Sequence, residues 1–257
     1  MTVSVYYELD SGGAAYDDYN LVLGMGDMGS LSFSGNSKSG SGVDKLKDIV
    51  PNAYTPIYEA TDSTDSGLID ASGNNQAGQW GYDIAVGSLD LSLSYNPEPA
   101  AGKTAETGFA VVYNGLMDGL ELSAGMFDDG DTAENDTIGV KYTMGSVTAA
   151  YQMTKVDYEA TGSTDQDADH YGVSIAINDA LSVSYNDEEF EATTNVAIVA
   201  TAASNTKTKV ESDMEVMQVA YIFGGATLGA HIVDVANADY VSGKDEKMTV
   251  FTIAMDF

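Results

Sequence analysis

The side chains of this chain that could do chemistry are almost all carboxylates. Forty Asp and Glu stand against ten basic residues, all of them Lys, for a net charge of −30. There is no Cys and no Arg, and the only histidines are His170 and His231. No thiol nucleophile is available, and no G-x-S-x-G or comparable motif presents a serine. The chain therefore reads as a non-enzyme that requires no cofactor. The densest set of oxygen ligands is Asp128, Asp129, Asp131, Glu134 and Asp136. Hard cations such as Ca²⁺ take roughly six to eight oxygens, so calcium is a candidate for this loop, although no EF-hand spacing is present. Asp165, Asp167 and Asp169 form a second acidic group, and Asp187, Glu188, Glu189 and Glu191 a third. Charge that keeps exposed loops solvated is the plainer reading of all three. Phosphate contacts need a basic face, so nucleic acid is excluded as a partner.

The elements that must carry these acids are strands. Hydrophobic residues make up 44% of the chain, too many for simple disorder at this charge. No run approaches the roughly 18 apolar residues of a spanning helix. Met1, Thr2, Val3, Ser4 and Val5 start directly in strand pattern, with no signal peptide visible. Val3, Val5, Tyr7 and Leu9 alternate with small or polar residues. Six hairpins then follow the same rule. Leu89, Leu91, Leu93 and Tyr95 leave the Gly87-Ser88 turn, and Tyr171, Val173, Ile175 and Ile177 enter the Asn178-Asp179 turn. Phe251, Ile253, Met255 and Phe257 close the chain. The count is about fourteen strands, with short turns at one end and long Asp-, Ser- and Thr-rich loops at the other.

One stretch, 37–79, has no two-residue alternation. Val43, Leu46, Ile49 and Val50 have the spacing of one face of a short helix, stopped by Pro51 and Pro56. A structureless run this long in a compact domain is usually functional. Residues 193–209 carry no clear pattern.

Alternation alone allows a soluble sandwich or a membrane barrel. Three features favour the barrel. The rows opposite the apolar ones are small or polar, as at Ser92, Ser94 and Asn96, without the Lys/Glu pairs of a soluble sheet. Tyrosines such as Tyr95, Tyr113 and Tyr185 recur near strand ends, as in an interfacial girdle. Short turns alternate with long loops. In a barrel, parity turns Asp83, Asp90, Glu121, Lys141, Gln218 and His231 toward the lumen.

The chain resembles the general bacterial porins of the alphaproteobacterial kind. The resemblance is carried by the closing strand at 248–257 with its terminal Phe, and by the hairpin at 21–35 followed at once by a long acidic loop. The turn-and-loop alternation and the acidic, Cys-free composition add to it. It implies a transmembrane antiparallel β-barrel, a single domain spanning 1–257, in the outer membrane of a Gram-negative bacterium. It also implies a homotrimer that passes small hydrophilic solutes and ions by passive diffusion. The family barrel has sixteen strands, so two would precede this chain; a barrel of fourteen is the alternative. The family folds its long loop into the pore, which here would bring Asp44, Asp48, Glu59 and Asp62 to the constriction and favour cations. Porins oppose such acids with a basic cluster on the wall, often Arg. With no Arg here, Lys141 is the substitute. A non-channel surface protein, either a calcium-binding adhesin or a structural barrel, is the alternative function.

Overall fold

A computed structural model describes residues 1–8, 18–35, 40–47, 49–56, 78–97, 104–159, 163–194 and 208–255. It contains fourteen strands in one antiparallel sheet, in sequence order throughout. They are β1 (Thr2–Glu8), β2 (Asp18–Gly24), β3 (Ser30–Ser34), β4 (Gln79–Val86), β5 (Leu89–Asn96), β6 (Glu106–Tyr113) and β7 (Leu120–Asp128). There follow β8 (Ala133–Met144), β9 (Val147–Tyr158), β10 (Thr164–Asn178), β11 (Leu181–Thr194), β12 (Thr208–Phe223), β13 (Ala226–Ala236) and β14 (Glu246–Met255). Among the described residues no helix is long and apolar enough to cross a membrane. Two compact units are formed, Met1–Lys47 with Asp70–Ile138, and Asp48–Ile69 with Gly139–Phe257.

The hairpins are as tight as their sequences require. Gly87 and Gly145 open the β4–β5 and β8–β9 turns with φ of 63° and 62°. A two-residue turn that follows strand twist needs a positive φ there, which glycine supplies without a Cβ penalty.

In each unit the burial is inverted relative to a soluble sheet. In the first unit Leu93 and Tyr95 are exposed, while Ser92, Ser94 and Asn96 between them are buried. In the second, Met217, Val219 and Tyr221 are exposed and Gln218 is buried. Register carries each row across strands. Val183 pairs with Val219 and Val219 with Ala230 on the apolar face; Ser184 pairs with Gln218 and Gln218 with His231 on the polar face. A dry core would have taken Leu93 and Val219, which are 46% and 36% exposed.

Several strands run further than the alternation suggests. β10, β11 and β12 have 15, 14 and 16 residues, more than the roughly 9–11 a membrane-crossing strand needs. Beyond the row Tyr151, Tyr171 and Tyr185 the apolar face turns acidic, at Asp169, Asp187, Glu189, Asp213 and Glu215. The Tyr151 hydroxyl donates to Asp169 and the Tyr185 hydroxyl to Glu215, the latter at 2.8 Å. These tyrosines thus lie with rings on the apolar side and hydroxyls on the wet side. Over the same extension the opposite face becomes apolar, burying Phe190, Met214, Val216 and Val233. The β11–β12 register is unbroken there, so the pattern changes phase without a bulge.

Trp80 is the only tryptophan. It is 43% exposed on the apolar face, its ring 4.8 Å from that of Phe33. We expect its emission to be quenched in vesicles whose lipids carry brominated acyl chains. Emission unchanged by such lipids would mean that this face does not meet the membrane interior.

Candidate functional site

The described parts of the long stretch lie on the polar face of the sheet, one part on each unit. Gly42–Leu46 is a 3-10 helix, shorter than the expected helical face. Val43 and Leu46 are nevertheless completely buried, and Ile49 and Val50 are buried too. Burying Val or Leu contributes about 1.5–3 kcal/mol each.

The wall is cut back where this segment rests. A Cβ on Gly125 would come within 2.8 Å of Leu46 Cδ1 and 3.1 Å of Val43 Cγ2, and one on Gly81 within 2.3 Å of Ser41 Oγ. In the second unit, a Cβ on Gly172 would meet Val50 Cγ1 at 2.3 Å, and one on Gly229 would meet the Tyr54 ring at 2.7 Å. Each glycine sits in the row that otherwise holds polar side chains, and those side chains supply the segment's missing hydrogen bonds. The N–H of Gly42 donates to Ser92 Oγ at 2.7 Å and that of Ala53 to Ser184 Oγ at 3.0 Å. Gln218 Oε1 accepts from the N–H groups of Tyr54 and Thr55, at 3.1 and 3.0 Å, while its Nε2 donates to Thr55 O at 2.9 Å. Asn186 Nδ2 donates to Pro51 O at 3.0 Å.

Asp83 on β4 is the charged anchor of the first unit. Its carboxylate accepts from Ser41 Oγ at 2.9 Å and Ser92 Oγ at 2.5 Å, and lies 3.5 Å from Lys45 Nζ. Beside it opens a cavity of about 640 Å³ lined by Lys45, Asp83, Asp90, Ser92 and Glu121 among others. Three acids assigned to the lumen by parity therefore share one water-accessible space. Sequence reasoning missed Lys45. Its signal was its place in the apolar spacing, between Val43 and Leu46.

Of the other expected site residues, Asp44 lies 3.9 Å from Lys47 Nζ. Lys141 is half-buried on the polar-row parity of β8. Gln218 and His231 are buried on the polar face, and His231 Nδ1 has no hydrogen-bond partner among the described residues. Asp48, Glu59 and Asp62 lie outside the described residues, as do Phe257 and most of 193–209. His170 and Glu188 pair on the polar face of β10 and β11, with Phe190 edge-on to the imidazole at 5.9 Å.

In the 128–136 stretch three of the five carboxylates, those of Asp128, Asp129 and Asp131, accept hydrogen bonds from their own chain. Asp128 accepts from Gly130 N–H at 2.6 Å, and Asp131 accepts from the Thr104 hydroxyl at 2.8 Å. Asp129 accepts from the N–H groups of Asp131, Thr132 and Ala133 and from the Thr132 hydroxyl. Glu134 and Asp136 are exposed. Among the described residues no three acids or histidines converge as a metal-ligand set. Burial pushes the Asp129 carboxyl up, but the hydrogen bonds from Thr132, Ala133 and Asp131 outweigh it and hold the pKa below its ordinary 3.8.

No protein-family model and no curated protein matches the chain. Solved structures do. The chain is similar to the loop-L8 deletion mutant of OmpT, an outer membrane protein of Vibrio cholerae. Identity is 17% over 98% of this chain and 82% of that one, with a TM-score of 0.61. Salmonella typhi OmpF, solved in complex with daunomycin, is 13% identical over 93% of this chain and 77% of its own, also at 0.61. An anion-selective porin from Comamonas acidovorans is 13% identical over 85% and 67%, at 0.53. The fold is that of the bacterial outer-membrane porins, an all-β antiparallel barrel fold.

Two expectations follow. Gly229→Val forces a side chain into the Tyr54 ring and should cost about 1–3 kcal/mol, the usual scale of overpacking. The urea midpoint of the detergent-folded protein measures this, and Tyr54→Ala in the same chain should recover most of it. The Asp129 loop carries its own pH dependence. A depressed folded-state pKa stabilises fully above 3.8, and that stability is lost as pH falls below it. Hydrogen exchange at Thr132 and Ala133 should therefore accelerate relative to the strands as the pH drops under 3.8, and Asp129→Asn should abolish that dependence.

Proposed function

We propose that this chain is an outer-membrane channel of a Gram-negative bacterium, through which small hydrophilic solutes and ions diffuse passively with a preference for cations. It works as a homotrimer and carries out no chemical step. The observation that carries the reading is the inverted sheet: side chains that meet bulk solvent in a soluble protein are here buried on the face that holds the inserted segment. Such a face is what a water-filled passage requires, and an apolar exposed face is what lipid requires.

The cation preference rests on charge. The Comamonas porin, of the same fold, is anion-selective, so fold alone does not fix the sign. In this chain the cavity of the first unit is lined by Asp83, Asp90 and Glu121 with Lys45 as the one base among its lining residues. Carboxylates in a space with low-dielectric walls focus field lines and raise the local concentration of cations. Most described lysines already face a carboxylate. Lys155 pairs with Asp157, Lys209 with Glu191 and Glu211, Lys244 with Glu246, and Lys247 with Asp234. Among the described residues the acids far outnumber the bases that could oppose them.

Reversal potentials across a planar bilayer under a KCl gradient test this. The preference should favour K⁺ and be largest at low salt, because the Debye length falls from roughly 8 Å at physiological ionic strength to about 3 Å at 1 M. Asp90→Asn with Glu121→Gln should weaken it without closing the pore. Anion preference in the parent chain would overturn the charge argument, and no conductance from folded protein would overturn the channel.

A further inference from the structure

We propose that Lys45 sets the ceiling on the cation preference of this channel, as the base that the inserted segment places in the acid-lined cavity. The proposal rests on the channel reading above and adds a specificity-determining residue to it.

The position of Lys45 is imposed from both sides. Val43 and Leu46 are 0% and 1% exposed, locked over Gly125 of β7. Upstream, Gly42 N–H is held by Ser92 Oγ and Ser41 Oγ by Asp83. A 3-10 turn has about three residues per turn, so clamping 43 and 46 against the wall turns residue 45 away from it. Lys45 accordingly keeps a side chain 47% exposed, and its Nζ stands 3.5 Å from Asp83 Oδ1.

Asp83 does not depend on Lys45 for its place. Two serine hydroxyls, one from the segment and one from β5, already hold both carboxylate oxygens. The ammonium therefore adds charge more than it adds structure. A cation in the cavity meets three carboxylates and one ammonium on one lining. The sequence reading put acids on the loop and a base, Lys141, on the wall, and three of those loop acids, Asp48, Glu59 and Asp62, lie outside the described residues. In this cavity the segment contributes the base, Lys45, and the strands contribute the acids Asp83, Asp90 and Glu121. A side chain that bears charge, stands in open space and rests on a rigid backbone acts on every ion that passes it.

The absence of cysteine makes the test direct, because Lys45→Cys carries a single thiol. In a planar bilayer under a KCl gradient, this variant should shift the reversal potential toward that of a pure K⁺ pathway. Treating the same folded channels with trimethylammonium-ethyl methanethiosulfonate restores a positive charge and should return the potential toward the parent value. The sulfonatoethyl reagent adds a negative charge and should push it further toward K⁺. The cysteine-free parent should respond to neither. Conducting channels whose reversal potential is the same in all three charge states would overturn the proposal and leave the channel standing. A thiol that neither reagent modifies, read by mass spectrometry, would overturn it as well, since Lys45 would then lie outside the aqueous path. Folded protein that never conducts would remove the channel reading, and this inference with it.

Discussion

The arrangement depends on how the inserted segment meets its hydrogen-bonding needs. A stretch without regular structure carries unpaired N–H and C=O groups, and burying them unpaired is costly. The sheet resolves this with the residues of its polar face in each unit. Where the backbone of 41–55 needs a partner, that face offers Ser92, Ser184, Asn186 or Gln218. Where the segment needs room for a side chain, it offers Gly81, Gly125, Gly172 or Gly229. Polar groups and gaps share the face on which the segment rests. In the first-unit cavity the pairing of Lys45 with Asp83 follows from that fit, while Asp90 and Glu121 are placed by their own strands.

The hairpins were legible because a strand has a side-chain period of two, and a row of Leu and Val against a row of Ser and Asn shows that period without tertiary information. Fourteen strands could be counted from it, and the burial of Val43, Leu46, Ile49 and Val50 was readable from their spacing. The full length of β10 to β12 was not. Along β12 the acids Glu211, Asp213 and Glu215 share the face of Met217 and Val219, while Met214 and Val216 share that of Gln218. Hydrophobicity changes face within one uninterrupted strand, so a search for a single apolar row stops at Met217. The change marks where the surroundings of the outer face turn from apolar to wet, and a phase reversal in the sequence is the trace it leaves.

The candidate site was half legible. Parity placed Asp83, Asp90 and Glu121 on one face, since that needs only the local strand. The Lys45–Asp83 pair joins residues on an irregular segment and a strand, with no periodicity between them. The four glycines were visible as residues but not as contacts, because what each meets is the part of the segment that rests on its own unit. The occupied carboxylates of the 128–136 loop teach the same lesson in reverse. Asp128 and Asp129 there accept from N–H groups of their own turn, bonds that composition does not show.

The anchoring of the segment also has a consequence for time. Gln218 holds Tyr54 and Thr55 across sequence separations of 164 and 163 residues, and Gly229 receives the Tyr54 ring from further still. Contacts this distant form slowly, because a long loop must close before they yield any free energy. Residues 53–55 can take up these contacts only once β11, β12 and β13 stand side by side, so this part of the segment settles after the strands that hold it.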